Sequence, residues 1–147
     1  MILEVDRTNL HQARLVPEPQ SPLSDGAARL RVDTFALTSN NVTYGAFGDM
    51  LGYWNFFPAE GEWGRIPVWG FADVVEPNGT ELDLRARVYG YFPMAEDLVV
   101  EPGKVGSRGF TDLTAHRQAM ADTYNRYTRA EADPAYEPGR EGQQMVL

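Results

Sequence analysis

The chain has 147 residues, of which 43% are hydrophobic and 23% charged, a composition typical of one globular domain. Its net charge of −8 argues against nucleic acid as a partner, because phosphate binding needs clustered Lys and Arg. Cysteine is absent, which excludes disulfides and Cys-ligated zinc. The sequence shows neither a secretory h-region nor an apolar run near the ~20 residues that span a bilayer. We therefore expect a cytoplasmic protein without membrane contact.

Short strands dominate the pattern as far as residue 102. Alternating apolar and polar side chains, short apolar runs and frequent Gly and Pro give this prediction. The strands are expected at residues 2–5, 10–16, 28–37, 71–76, 87–92 and 98–102. Such a series favours a barrel or a sandwich over a layered α/β fold.

The connections between these strands carry their own signals. The polar residues 38–41 predict the start of a short helix or turn over 42–51. Residues 52–67 hold five Gly or Pro and predict an ordered loop. Asn78-Gly79 predicts a type I′ hairpin turn.

The segment after Phe110 reads differently. Asp112 could cap a helix running from about 113 to 130, because five side chains recur at three- and four-residue spacing. These are Leu113, Arg117, Met120, Tyr124 and Tyr127. Asp133-Pro134 would end the helix, and residues 134–147 read as a linker that finishes on an apolar end.

Aromatic residues are concentrated in the middle of the chain. Twelve of the seventeen lie between Tyr44 and Phe92. Those in strands are expected in the core, whereas those in the loop from Gly52 to Trp63 have no strand alternation that would bury them. These rings could form the core, a pocket wall or lid, or a partner surface. The candidates for stacking on a flat ligand are Tyr53, Trp54, Phe56, Phe57, Trp63 and Trp69.

Polar candidates for a binding site precede this loop. Asn40, Asn41, Thr43 and Tyr44 could hydrogen-bond a substrate carbonyl or a cofactor amide. The alternative is an Asn helix cap beside a core tyrosine. No nucleophile–histidine–acid arrangement is readable, so spacing alone demonstrates no catalytic residue.

Several motifs together resemble an uncharacterised bacterial and fungal family of medium-chain dehydrogenase/reductase-like, quinone-oxidoreductase-like proteins. They are Phe-Ala-Leu-Thr-Ser-Asn-Asn-Val-Thr-Tyr at 35–44, Gly-Tyr-Trp at 52–54, Phe-Phe-Pro at 56–58, Pro-Val-Trp-Gly-Phe-Ala-Asp-Val at 67–74 and Val-Tyr-Gly-Tyr-Phe-Pro at 88–93. The resemblance covers nearly the whole chain from about Leu30.

The resemblance implies a mainly β fold, a GroES-like β-barrel with one long appended C-terminal helix. The barrel would span 1–110 and the helix 111–133. Residues 134–147 would be a linker towards a nucleotide-binding Rossmann domain that the chain lacks. Phe71, Tyr89 and Phe92 would lie in barrel strands.

The implied function is that of the substrate-side domain of a zinc-independent NAD(P)H-dependent oxidoreductase acting on small carbonyl or quinone compounds. Zinc is not expected, because the ligands of zinc-dependent members are missing. NADPH or NADH would bind only if another chain supplied the nucleotide domain. The implied substrate contacts are Asn40, Asn41, Thr43, Tyr44, Tyr53, Trp54 and Trp69. A non-catalytic module remains the alternative, binding a small ligand or a partner, either a second copy or a Rossmann-domain protein.

Overall fold

A computed structural model describes residues 1–18 and 20–145 of the chain. The strands are β1 (Ile2–Asp6), β2 (Ala13–Val16), β3 (Ala28–Phe35), β4 (Trp63–Gly64), β5 (Pro67–Pro77), β6 (Arg87–Pro93), β7 (Asp97–Val100), β8 (Pro102–Gly106), β9 (Gly109–Asp112) and β10 (Arg126–Arg129). The helices are α1 (Ser39–Ala46), α2 (Gly48–Leu51), α3 (Asp122–Asn125) and α4 (Glu141–Gln144). Short 3₁₀ turns occupy Tyr53–Asn55, Ala115–Arg117 and Ala130–Ala132.

The strands form two antiparallel sheets. The smaller has the order β2-β1-β4, and the larger has the order β7-β3-β5-β6-β10-β9-β8. β7 and β8 lie at opposite edges of the larger sheet, yet Glu101 alone separates them in sequence. Seven flat strands would place these edges about 30 Å apart, so the sheet must curl until its edges approach. The prediction of a mainly β fold is confirmed, with a curled antiparallel half-barrel as its main body.

The two faces of the curled sheet carry different side chains. Alternate residues of β5 and β6 point to the inner face and pack with other strands into the main core. This core comprises Ala28, Leu30, Val68, Ala72, Val74, Leu82, Val88, Phe92, Val100, Phe110 and Tyr127. Gly90 leaves room for the Tyr127 ring, since a Cβ at Gly90 would overlap it. The remaining side chains of β5 and β6 point outward and position the candidate site.

Helix α1 is held by its own cap. Thr38 is the N-cap residue, and its side chain accepts from the Asn40 N–H while the Asn41 side chain accepts from the Thr38 N–H, a capping box. The Asn41 Nδ2 also donates to the Pro67 carbonyl at 2.9 Å. Asn41 therefore fixes the start of α1 to the start of β5.

The long helix predicted at 113–130, and with it the helical segment 111–133, is not formed. β9 runs to Asp112, a 3₁₀ turn and the four-residue α3 follow, and β10 begins at Arg126. Asp112 does cap a turn, since its Oδ1 accepts from the N–H and the hydroxyl of Thr114. It also accepts from the Glu101 N–H, which ties this turn to the junction of β7 and β8.

Burial of Tyr127 explains why a strand replaces the helix. β10 inserts between β6 and β9, and the Tyr127 ring stacks on Phe110 with centroids 5.1 Å apart. Its hydroxyl donates to the Tyr91 carbonyl at 2.7 Å. Ladder hydrogen bonds and a fully buried aromatic ring outweigh the modest free energy of helix propensity. The helical spacing of the apolar residues was therefore misleading.

The type I′ hairpin predicted at Asn78-Gly79 is also wrong. β5 ends at Pro77 and β6 begins only at Arg87, so a longer loop connects them. Gly79 has a positive φ but Asn78 does not, whereas type I′ requires both. The Asn78 side chain instead donates to the carbonyls of Leu23 and Ser24, and so anchors this loop to the turn before β3.

Candidate functional site

The outer face of β5 and β6 carries a row of opposed side chains. Trp69 lies opposite Tyr91, and Phe71 lies opposite Tyr89. Trp69 and Tyr89 stack across the strands with centroids 5.7 Å apart and planes 17° apart. Both rings remain half-exposed. Because strand alternation sends these side chains away from the main core, they form an aromatic floor that is only partly covered.

Four tyrosines meet at one end of this floor. We call Tyr44 from α1, Tyr53 from the first 3₁₀ turn, Tyr91 from β6 and Tyr124 from α3 the tyrosine cluster. The ring centroids of Tyr44 and Tyr53 lie 4.4 Å apart, and those of Tyr91 and Tyr124 lie 4.9 Å apart. Trp69 lies 4.9 Å from Tyr91 and 5.9 Å from Tyr124. Elements distant in sequence thus bring four phenols and an indole together.

The hydroxyl of Tyr91 is the distinctive group of the cluster. Tyr91 is fully buried, and its hydroxyl makes no hydrogen bond of standard geometry with the described residues, although the Tyr44 hydroxyl lies close enough to interact with it. Burial, followed by the nearby phenols of Tyr44, Tyr124 and Tyr53 and a hydroxyl contact with Tyr44, raises the pKa of Tyr91. Burial and a hydrogen bond with Tyr124 also raise the pKa of Tyr53. Tyr53 and Tyr91 are therefore protonated at neutral pH, so their hydroxyls are hydrogen-bond donors.

A cleft of about 390 Å³ opens at the other end of the aromatic floor. We call it the outer cleft. Its floor includes Phe71 and Tyr89, and its roof includes Tyr136 and Met145 from the C-terminal segment. The ring centroids of Phe71 and Tyr136 lie 5.8 Å apart. The remaining lining residues are Thr128, Ala130, Asp133, Ala135 and Gln144. This volume suits a small organic ligand.

A charged group borders the outer cleft. Arg87 pairs with Asp33 at 2.6 Å, with Asp73 at 3.0 Å and with Glu141 of α4 at 3.3 Å. The Tyr136 hydroxyl donates to the same Glu141 at 2.7 Å. We call Arg87, Asp33, Asp73 and Glu141 the Arg87 group. This group connects the C-terminal segment to the sheet. It also places charged side chains next to Phe71 and Tyr89, at the end of the aromatic row.

The four polar residues predicted to contact substrate lie in different environments in the structure. Asn41 is buried and both ends of its amide are used in the α1 cap and the bond to Pro67. Asn40 and Thr43 are exposed on α1. Tyr44, in the same helix, belongs to the tyrosine cluster. A structural role is therefore present for Asn41, as the helix-cap alternative expected.

The predicted aromatic contacts are divided as well. Tyr53 lies in the tyrosine cluster, and Trp69, which belongs to β5, lies beside it. Trp54 is buried between Gly48 and Gly64, where a Cβ at either glycine would overlap its ring. Its indole thus packs α2 against β4.

Sequence reasoning did not assign Tyr89, Tyr91 or Tyr124 to the site. Alternation along β6 carries a signal for the first two, because Val88, Gly90 and Phe92 point to the core and leave the intervening tyrosines on the opposite face. No such signal existed for Tyr124. It reaches the cluster because Arg117, which is fully buried, bonds Asn125 at 2.9 Å and the Tyr124 carbonyl and so shapes the turn.

Two other kinds of site were sought. Within residues 1–18 and 20–145, no three His, Asp or Glu side chains gather in a way that could hold a metal ion. In the same part of the chain, the helices are too short and too polar to cross a bilayer.

Comparison with known proteins gives one match. Residues 35–147 match the model of a family described as a protein of unknown function, DUF2855. This region covers most of the chain. It contains the whole aromatic floor, the tyrosine cluster and every member of the Arg87 group except Asp33. Neither curated proteins nor solved structures gave a match.

Proposed function

The chain belongs to the DUF2855 family of proteins of unknown function, and we propose that it is the substrate-side domain of a zinc-independent, NAD(P)H-dependent oxidoreductase acting on small carbonyl or quinone compounds. In this proposal the curled sheet is a GroES-like barrel. One observation carries the proposal: the buried hydroxyl of Tyr91, which makes no hydrogen bond of standard geometry with the described residues, adjoins the half-exposed rings of Trp69 and Tyr124.

A planar carbonyl compound matches this chemistry. Its ring would stack on the floor formed by Trp69 and Tyr89, where offset and tilted aromatic contacts are favourable. Its oxygen would enter between Tyr44 and Tyr124 and accept from the phenols. Pairing the Tyr91 hydroxyl would remove the cost of a buried donor without an acceptor. The protein groups would thereby orient the substrate.

The start of α1 offers little to the pyrophosphate of a dinucleotide. A pyrophosphate usually binds free N–H groups at a helix N-terminus. In α1 the Asn40 N–H and the Asn41 N–H are already bonded to Thr38. We therefore assign the dinucleotide to another domain or chain, and no step of this proposal passes through it.

Equilibrium dialysis with 1,4-naphthoquinone tests the proposal. The comparison is wild type against Tyr91→Phe, which removes the hydroxyl and keeps the ring. We expect the variant to bind about tenfold more weakly, the loss of one good hydrogen bond. Tyr136→Phe is the matched control, because its hydroxyl serves Glu141 outside the tyrosine cluster. Equal affinity in all three proteins, or no binding by wild type, would refute the assignment.

A second candidate is a non-catalytic module that pairs with another protein. It is favoured by an apolar patch on and around α1 and α2. Its members, 47% to 73% exposed, are Leu37, Val42, Phe47, Met50 and Leu51. Residues 34–48 carry no charge, so two copies of this acidic chain could meet there without repulsion. A second copy is the occupant that we propose for this patch.

A further inference from the structure

The outer cleft and the tyrosine cluster share one floor. Tyr89 stacks on Trp69, which contacts the cluster, and also packs on Phe71 with centroids 5.0 Å apart. Phe71 and Tyr89 in turn line the outer cleft. A ligand ring on Trp69 would therefore lie beside the mouth of the cleft.

The lining of the outer cleft differs from that of the cluster. Phenol donors dominate the cluster, whereas the cleft is formed mainly by Phe71, the Tyr89 ring, Ala130, Ala135 and Met145. The side chains of Asp133 and Gln144 also line the cleft, but both are bonded to the backbone of the C-terminal segment. The Tyr136 hydroxyl, at the roof, is already bonded to Glu141. The cleft therefore offers hydrocarbon and aromatic surface but few free polar groups, and it suits an alkyl group better than a second polar ring.

The length of the cleft is set by the strands beneath it. Trp69, Phe71 and Asp73 point outward at successive alternate positions of β5, and four residues of a strand span roughly 13 Å. Asp73 and Arg87 belong to the Arg87 group, where three carboxylates surround one guanidinium. An alkyl chain that passed Phe71 would meet charged groups whose desolvation is unfavourable.

From this arrangement we propose that the substrate is a planar carbonyl or quinone compound bearing an apolar tail, which lies in the outer cleft under Tyr136 and ends before the Arg87 group. The inference rests on the proposed function, because the position of the ring fixes where the tail begins. The Arg87 group sets the usable tail length at roughly eight carbons, given the strand spacing.

A homologous ligand series tests the tail directly. Dissociation constants of 1,4-naphthoquinone and of its 2-butyl, 2-octyl and 2-dodecyl derivatives are measured by equilibrium dialysis with the intact chain. Each methylene that enters the cleft should tighten binding by up to about fourfold. We expect the gain to continue from butyl to octyl and to stop between octyl and dodecyl.

Two variants locate the tail. Thr128→Trp fills the cleft, and Tyr136→Ala removes part of its roof. Each should reduce the gain from the octyl tail at least tenfold, measured against the affinity of the same variant for tailless 1,4-naphthoquinone. Leu15→Ala, at a residue 64% exposed on β2, is the control and should keep the full gain. Circular dichroism confirms that each variant is folded.

The outcomes separate the two proposals. If wild type binds all four quinones equally, or if the tail gain survives in both variants, the tail site is refuted while the ring site stands. If wild type does not bind the tailless quinone but binds 1-dodecanol in competition with the dodecyl derivative, the quinone ring is refuted and the tailed quinone is rejected as the ligand. A gain that continues undiminished to dodecyl would overturn the role of the Arg87 group.

Discussion

Trp69 and Tyr91 face each other on β5 and β6, with ring centroids 4.9 Å apart, and one of the pair is half-exposed while the other is fully buried. The indole therefore offers its surface to solvent directly beside a phenol whose hydroxyl makes no hydrogen bond of standard geometry with the described residues. A buried donor without an acceptor lowers the stability of the folded chain. This relationship has consequences that can be measured without any ligand.

Two identical substitutions should change stability in opposite directions. Tyr91→Phe removes an unpartnered hydroxyl, so we expect the free energy of unfolding to rise by about 1 kcal/mol. Tyr127→Phe removes a hydroxyl that donates to the Tyr91 carbonyl at 2.7 Å and should lower it by about 1–2 kcal/mol. Urea denaturation at neutral pH measures both. A loss of stability in Tyr91→Phe would show that its hydroxyl is already satisfied.

Alkaline pH should destabilise the fold through buried tyrosines. Burial raises the pKa of both Tyr91 and Tyr127, whereas tyrosines of the unfolded chain have a pKa of about 10. The stabilisation by the neutral phenols is fully present below that pH and is lost as the pH rises through the folded-state values. Absorbance at 295 nm and near-UV circular dichroism should show the last tyrosines ionising together with unfolding. If every tyrosine ionised near pH 10 with tertiary structure intact, this account would be wrong.

Gly90 should tolerate no side chain. An alanine Cβ there would overlap the Tyr127 ring, so Gly90→Ala should lower the free energy of unfolding by about 1–3 kcal/mol, as overpacking does in other cores. Gly106→Ala in β8 is the control, because a Cβ at Gly106 would have no described atom within 4 Å beyond its chain neighbours. Thermal or urea unfolding compares the two. Equal stability of both variants would mean that the Tyr127 ring can move aside.

The apolar patch of α1 and α2 should cause self-association. We expect the apparent mass in size-exclusion chromatography to rise with concentration, because the patch is apolar and Asp49, which lies beside it, is paired with Arg7. Leu37→Asp and Met50→Asp should each keep the chain monomeric. Leu84→Asp, at a residue 59% exposed but outside the patch, should behave like wild type. A wild-type chain that stays monomeric throughout would count against a second copy as the occupant.

The strands and helix up to residue 100 were largely predictable because their signals are local. Alternation marked β3, and the polar residues 38–41 marked the start of α1. The helix begins at Ser39, however, earlier than the predicted residue 42, and Thr38 and not an asparagine is its N-cap. β5 begins at Pro67, earlier than the predicted residue 71, because its first residues pair with β6 and that pairing has no local signature. The end of the predicted linker, residues 146–147, lies outside the described residues.

The region of Arg117 to Tyr127 could not be predicted, because its structure depends on partners far along the chain. Tyr127 is buried against strands that precede it, and Arg117 is buried against Phe57 with its guanidinium 4.9 Å from the ring. Apolar residues at helical spacing can therefore fold as a turn and a strand when distant residues bury them, and the local sequence does not distinguish the two outcomes. For the same reason the tyrosine cluster was only half anticipated: Tyr44 and Tyr53 stood in a recognisable aromatic region, whereas Tyr91 and Tyr124 did not.

The short connection at Glu101 also bears on how this protein could change during evolution. The Glu101 N–H donates to the Asp112 side chain, and the Glu101 carbonyl accepts from the Leu113 N–H, both at the end of β9. This one residue therefore joins the two edges of the large sheet. An inserted residue there would reduce the curvature of the sheet. The side chains of the aromatic floor, which lie on its convex outer face, would then move closer together. Ligand preference could thus shift through a change of length at a corner that touches no ligand.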